Sequence, residues 1–520
     1  MHLSAIDIAV VATYAVSLFL LAQWVSREKS GHEKDSQDYF LASRALPWWA
    51  IGSSLIASNI SAEQIIGMSG SGYVVGLGIA SYEWMSALTL LIVGKFFLPI
   101  FLKNSIYTMP QFLERRYSHS VRVVLAVFWI GVYTFVNLTS VLWLGALAIH
   151  TVTGVETVTA LVLLGGFAVV YSLYGGLKAV AWTDVLQVVL LVLGGLIIVW
   201  FALEKVSGGA GVIAGFLKLT QTHPEKFEMI LKPGNPNYTY LPGLSVLVGG
   251  MWIMNLSYWG FNQYIIQRAL AAKSTREAQN GIVLAAFLKL LVPLIVVVPG
   301  IAAVVLAPHL THPDQAYPTL MNLLPAGLKG LVFAGLLAAI VSSLGSMMNS
   351  ISTIFTMDIY QPVHKAASQR FLVFVGRGIA LLAMVLAMVT AKPLLGNFTQ
   401  AFQYIQDFTG FFTPGIVVIF LLGMFWSRAT SAGALAAGIG SVAISYLYYV
   451  YWPVVPFMNR IGYVFLICLA LAIVVSLFQR KRASSSTIDV GEIDYSTSTG
   501  FNAASVAVIA ILCALYATWW

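Results

Sequence analysis

Residues 53–72 read SSLIASNISAEQIIGMSGSG, and they lie inside a long apolar stretch, residues 47–100. Ser53, Ser54, Ser58, Asn59, Ser61, Glu63, Gln64 and three glycines crowd a segment otherwise apolar enough to cross a bilayer. Hydrocarbon cannot hydrogen-bond free backbone groups, so polar side chains and irregular backbone survive at mid-membrane depth only where they line a cavity. The stretch therefore reads as half of a binding site, and the rest of the chain supplies the other half, the walls and the orientation.

The surrounding composition agrees. Of 520 residues 59% are hydrophobic and 9% charged, with a mean hydropathy of +0.85, against roughly 25% charged residues in soluble domains. This is an all-α integral membrane protein. The first apolar run, 6–25, follows MHLSAID, which has no positive n-region, and no small-residue cleavage site comes after it; a retained helix is expected. The formal charge of +8 is spread over short loops, as topology demands, and does not point to nucleic acid as a partner. Cys468 and Cys513 stand outside any CxxC or metal-ligand spacing, so no disulfide framework or redox motif is indicated.

At about 20 residues per span, about fourteen spans are expected: 5–25, 47–72, 76–101, 122–149, 157–174, 182–204, 243–264, 280–306, 326–357, 372–391, 396–425, 430–451, 459–479 and 501–520. Loops that must share one side carry Arg27, Lys29, Lys34 and Arg44, then Lys103, Arg115 and Arg116, then Lys178, then Arg268, Lys273 and Arg276. Later ones add Lys365, Arg370, Arg428, Arg480, Lys481 and Arg482. Short loops on the other side are nearly bare of Lys and Arg, which puts the basic side in the cytoplasm and both termini outside. The segment 205–241 holds Lys218, Lys226 and Lys232, but long loops translocate largely regardless of charge. Trp48-Trp49 and Trp519-Trp520 fall at span ends, where amphipathic rings anchor.

A second interrupted span runs over 243–263, GLSVLVGGMWIMNLSYWGFNQ, with a Gly249-Gly250 pair followed by Asn255, Ser257, Tyr258, Asn262 and Gln263. It begins the sixth span counted from the first broken one, so the two open successive blocks of five. Paired interruptions at corresponding positions point to an inverted-repeat transporter. The expected organisation is a first helix and loop over 1–46, one five-helix repeat with a long outer loop over 47–242, a second over 243–426, and additional helices over 427–520 with a Ser/Thr-rich tether at 480–499.

Glu83, in SYEWMS, and Lys289, in AAFLKLLVP, are charges inside apolar spans. Each costs about 2.5–3.5 kcal/mol at a helix centre, so they form either a functional pair or a structural ion pair. Gln64, Ser86, Asn255 and Gln406 add neutral donors and acceptors. One carboxylate, one ammonium and several amides suit a neutral polyhydroxy solute better than an anion. Tyr258 and Trp259 can stack on the apolar face of a sugar ring or pack as core aromatics, and the same choice applies to Phe402 and Met68. Ser342-Ser343, in AAIVSSLGSMMNS, either bond back to their own helix or join carbonyls freed in the 53–72 stretch to cage a hard cation. Asp184, near an inner span end, either guides that cation or is a solvated helix-end charge. No metal-ligand cluster, nucleophile motif or phosphate loop suggests an enzyme. A sensor or channel would show ligand binding or passive flux without coupled accumulation.

The motifs ASNISAEQIIGMSGSG, ASYEWMSA, NLTSVLWLG, YSLYGGLKAVAWTDVLQV, YWGFNQYIIQRALAAKS, AAIVSSLGSMMNSISTIFTMDIY and AFQYIQDFTGFFTPG resemble the sodium:solute symporter family, most closely its bacterial sodium/galactose branch. The resemblance runs from about residue 5 to the last helix. It implies two inverted five-helix repeats with extra helices at both ends, in a bacterial inner membrane, and sodium-driven uptake of a galactose/glucose-class sugar by alternating access. Another small solute, such as a polyol, an amino acid or a carboxylate, is the alternative cargo. By the same resemblance Gln64, Glu83, Ser86, Asn255, Lys289 and Gln406 would contact sugar, Tyr258 with Trp259 would gate the inner side, and Met68, Tyr82 and Phe402 the outer. The carbonyls of Ala57, Ile60 and Ala339 with the hydroxyls of Ser342 and Ser343 would hold sodium. Asn59 would couple the two sites, and Asp184 would lie on the sodium exit path. Ser58 and Ser257 depart from the Ala and the aromatic of that pattern. Gly345 stands where two-sodium members carry a hydroxyl, which implies one sodium per sugar.

Overall fold

Helix starts are set by local chemistry. Thr108, Ser118, Ser274, Ser368, Thr430 and Ser498 each accept the backbone N–H three residues on, satisfying a donor that the first helical turn leaves without a partner. The computed structural model describes residues 3–25, 42–396, 401–479, 488 and 492–520, and among these every regular element is helical. Among the described residues ten helices are long and apolar enough to cross a membrane, or eleven if Ala401–Thr409 and Thr413–Phe425, bent by 46°, form one span. Fewer than the expected fourteen meet that test because polar interruption shortens the helical runs over 48–74 and 244–270, and because residues 157–207, expected as two spans, form one helix.

The boundary expected near Lys178 is absent: helix runs without a break over Thr157–Ser207, closed by Gly208 at φ 75°. At 1.5 Å per residue, its 51 residues far exceed a bilayer's hydrocarbon thickness of about 30 Å. The long outer segment is not an open loop either. Val212–Thr222 is a helix, and Lys226 Nζ donates to the carbonyls of Tyr73 and Val74 at 2.9 and 2.6 Å, a cation on the C-terminal end of the first broken helix. Two of the expected loop cations are buried: Arg268, inside the Gln263–Leu270 helix, and Arg116, which donates to the carbonyls of Gly423, Trp426 and Ala429. Arg27, Lys29, Lys34, Arg480, Lys481, Arg482 and most of the 480–499 tether lie outside the described residues.

At the centre, Thr275–Leu306 packs along Trp48–Asn59, Ser69–Val74 and Ser81–Ile92, while Thr157–Ser207 packs against Leu328–Ile354. Glycine lets the first set approach: a Cβ on Gly300 would fall 2.1 Å from the Ser69 carbonyl, and one on Gly52 2.7 Å from the Gly281 carbonyl. Small residues at such crossings replace the hydrophobic drive that lipid cannot supply.

Candidate functional site between two broken helices

The Trp48–Asn59 helix stops where Ile60 turns extended (φ −76°, ψ 94°), and helical geometry returns at Ala62 and the wide turn Glu63–Met68. The Ser61 N–H, which a continued helix would give to the Ala57 carbonyl, goes to Gln64 Oε1 at 3.1 Å, and the Ser61 hydroxyl joins it at 3.0 Å. The Ala57 carbonyl is thereby released. The second helix breaks in the same way at Asn262 (φ −80°, ψ 120°), twelve residues past the expected Gly249-Gly250 pair, where a further interruption lies. Tyr133 repairs that break: its hydroxyl donates to Asn262 Oδ1 at 2.7 Å and accepts the Gln263 N–H at 2.9 Å.

Between the breaks lies a cavity of about 120 Å³, bordered by Asn59, Gln64, Met68, Tyr82, Glu83, Ser86, Asn255, Tyr258, Trp259, Phe402 and Gln406. Ser86 Oγ donates to Asn255 Oδ1 at 2.6 Å, while Asn255 Nδ2 is buried with no partner among the described residues. The Tyr82 and Phe402 rings meet edge to face at 5.2 Å on one side. On another, the Tyr258 hydroxyl accepts from Asn59 Nδ2 at 3.0 Å and from Tyr264 OH at 2.8 Å. Gln406 faces the cavity with no side-chain hydrogen bond among the described residues.

Lys289 does not border this cavity. Its fully buried ammonium donates to Glu83 Oε2 and Asn59 Oδ1 and lies 5.0 Å from the Trp259 ring centre. Glu83 thus faces the cavity with Lys289 at its back, and Asn59 links that pair to Tyr258. A lysine so placed has its desolvation offset by one carboxylate, one carbonyl oxygen and a ring face.

Of the residues expected to hold sodium, Ser343 is seen to reach the first broken helix. Ala57, Ile60, Ala339, Ser342 and Ser343 are all fully buried, and Ser343 Oγ donates to the Ser58 carbonyl at 3.1 Å across the helix contact. Ser342 Oγ donates to Asp184 Oδ1 and Ser54 Oγ to Asp184 Oδ2. Asp184 is wholly buried, so its reading as a solvated helix-end charge is set aside. The Ser58 hydroxyl is absorbed locally, donating to the Ser54 carbonyl at 2.7 Å and meeting Ser346 Oγ at 3.1 Å. Ser257 borders the cavity.

Three groups at or beside the site carry no site role in the sequence reading. Arg268 Nε donates to Ser54 Oγ at 3.0 Å, another of its nitrogens reaches Ser346 Oγ, and the guanidinium lies 3.9 Å from Asp184. Glu63 borders the cavity and accepts from Ser140 Oγ at 2.5 Å. Asp314, outside the spans, accepts the Ala401 N–H at 3.1 Å, next to Phe402. Glu63 was visible as an unassigned charge in the opening stretch; Arg268 gave no signal apart from the other basic residues near span ends.

Residues 39–440 match the model of the sodium:solute symporter family. The chain is 50% identical to a sodium/glucose cotransporter of Vibrio parahaemolyticus, over 100% of this chain and 99% of that one. It is 34% identical to a mouse sodium/myo-inositol cotransporter, over 85% of this chain and 66% of that longer protein. A substrate-bound, outward-open Na+-coupled sialic acid symporter superposes with a TM-score of 0.80 at 22% identity, over 92% of this chain and 98% of that one. A nucleobase-cation-symport-1 family transporter in a closed conformation gives 0.53 at 15% identity, over 87% and 98%. The all-α architecture is therefore the inverted-repeat transporter fold, and with most of its length matched by the family model the chain belongs to the sodium:solute symporter family.

Proposed function

We propose that this chain is a sodium-driven symporter of a galactose/glucose-class sugar that works by alternating access, with one sodium moved per sugar. The observation that carries the reading is the chain of contacts from Glu83 through Lys289 and Asn59 to Tyr258. It joins cavity-lining groups of both broken helices, and Asn59 adjoins the backbone where the sodium ligands would gather. Sodium held by Ser342, Ser343 and the carbonyls of Ala57, Ile60 and Ala339 would fix residues 57–60. Asn59 would then hold Tyr258 and Lys289 in place for sugar. Gln64, Glu83, Ser86, Asn255 and Gln406 supply the hydroxyl partners, Tyr258 and Trp259 a ring face. Met68, Tyr82 and Phe402 serve as the outer gate, Tyr258 and Trp259 as the inner, and Asp184 stands on the path by which sodium leaves. The multi-pass protein would lie in a bacterial inner membrane, as its bacterial relative implies, with both termini outside on the Lys/Arg bias of its loops.

The test is counterflow of labelled sugars in proteoliposomes with and without a sodium gradient, with galactose, glucose, myo-inositol and an amino acid compared. Sodium-dependent exchange of a hexose supports the reading. Exchange of myo-inositol alone would favour a polyol carrier, a reading motivated by the mouse relative, and exchange indifferent to sodium would overturn coupling.

A further inference from the structure

Away from the transport path, a groove of about 500 Å³ lies between Ser81–Ile92 with its continuation to Lys103, the Gly250–Leu256 segment and the last helix, Thr499–Thr518. Its walls are apolar over Leu88, Trp252, Val506 and Ile509, and its polar end holds Lys95 and Asn502. Val506 and Ile509 are 66% and 47% exposed on a helix apolar enough to span, so the groove opens toward lipid.

Lys95 lies within a membrane-spanning helix, yet its ammonium meets only the Phe96 ring, 5.5 Å from the centroid, and has no carboxylate partner among the described residues. An ionisable group at that depth is costly unless it is paired or reaches the interface. Asn502 accepts from Thr497 through Oδ1 at 2.6 Å, which leaves its amide N–H groups free to donate. The groove thus has two unused donors, one of them cationic, at the end nearest the basic loops. An apolar slot runs from there toward mid-membrane, as Leu88 and Ile509 mark on their two helices.

We infer that this groove binds an anionic phospholipid of the cytoplasmic leaflet, its phosphate at Lys95 and Asn502 and one acyl chain along Leu88, Trp252, Val506 and Ile509. A zwitterionic lipid would fill the slot but bring its own cation to Lys95, so the unpaired ammonium selects for net negative charge. The inference does not depend on which solute is carried.

Native mass spectrometry of the full chain, exchanged into mixed phosphatidylglycerol and phosphatidylcholine and then stripped with detergent, tests it. The native chain is expected to retain one phosphatidylglycerol with at least about tenfold preference. Lys95→Gln should lose the preference, Lys95→Arg should keep it, and Val506→Trp, which blocks the slot, should retain neither lipid. Equal retention of both lipids by the native chain, or an undiminished preference in Lys95→Gln, would overturn the assignment. Lys95 is partly exposed, and monodispersity of Lys95→Gln in the same detergent separates lost binding from lost folding.

Discussion

Glu83 shows how a single residue is read differently once its neighbours are known. It borders the cavity with Lys289 behind it, so truncation removes a proposed sugar contact and strands a buried ammonium. Gln64 is tied to the helix break through Ser61. A hydrogen bond to a charged group is worth about 1.5–3 kcal/mol, and about 1.4 kcal/mol is tenfold in affinity. Glu83→Ala is therefore expected to lower apparent sugar affinity roughly ten- to a hundredfold in sodium-saturated uptake, and Gln64→Ala, whose amide makes only neutral hydrogen bonds worth about 0.5–1.5 kcal/mol, roughly two- to tenfold. Normal affinity in both would remove them from the site. Ser343→Ala should separate the two cargoes: its hydroxyl faces the Ser58 carbonyl, so the sodium concentration for half-maximal uptake should rise much more than the sugar concentration measured at saturating sodium. Equal shifts in the two would count against sodium ligation by Ser343.

At the scale of elements, the Ala401–Thr409 helix carries Phe402, and Asp314 holds its first turn by accepting the Ala401 N–H. A Cβ on Gly70 would fall 2.5 Å from Asp314 Oδ1, so the same carboxyl abuts the outer half of the first broken helix. Burial pushes the Asp314 carboxyl up from 3.8 to about 7, with the Ala401 N–H opposing. If opening the outer face exposes Asp314, the closed arrangement binds its proton more tightly than the open one. Closure is then favoured fully below about pH 4, and the advantage is lost as pH rises through about 7. A cysteine replacing Thr409, which borders the cavity, reports this in a Cys513→Ser background. Its labelling by an impermeant thiol reagent, expressed at each pH relative to the same thiol in denatured protein so that thiolate formation cancels, should rise between about pH 5 and pH 7, and Asp314→Asn should flatten the rise. A slope that survives Asp314→Asn would mean that another group titrates.

For the whole molecule, the number of ions sets the performance. One charge crossing about 100 mV gains about 2.3 kcal/mol and a tenfold sodium gradient adds about 1.4 kcal/mol. Together, about 3.7 kcal/mol supports roughly five-hundredfold sugar accumulation, and two ions would square that limit. With glycine at position 345, null-flux voltages in proteoliposomes should fit one sodium per sugar. A fit to two, or no dependence on sodium, would defeat that stoichiometry. A reporter fused after Trp520 should be active on the outer face only, and activity confined to the cytoplasm would reverse the topology.

Hydropathy and local chemistry alone determined the helical membrane class, the two interrupted helices and the long motifs by which the family is recognised. Those properties are local: a span is judged by the transfer free energy of about 20 neighbouring residues, and a break by polar groups within one turn. The charges in apolar spans were visible for the same reason, and Glu83 and Lys289 do meet. Tertiary structure alone decided which side of that pair faces the cavity, that Arg268 is buried beside Asp184 instead of lying in a loop, and that Glu63 meets Ser140. It also placed Asn262, not only Gly249, at the second break, since Tyr133 on a distant helix supplies the hydrogen bonds that make an extended residue there tolerable. Partners that far apart in sequence are joined by packing, which no local pattern encodes.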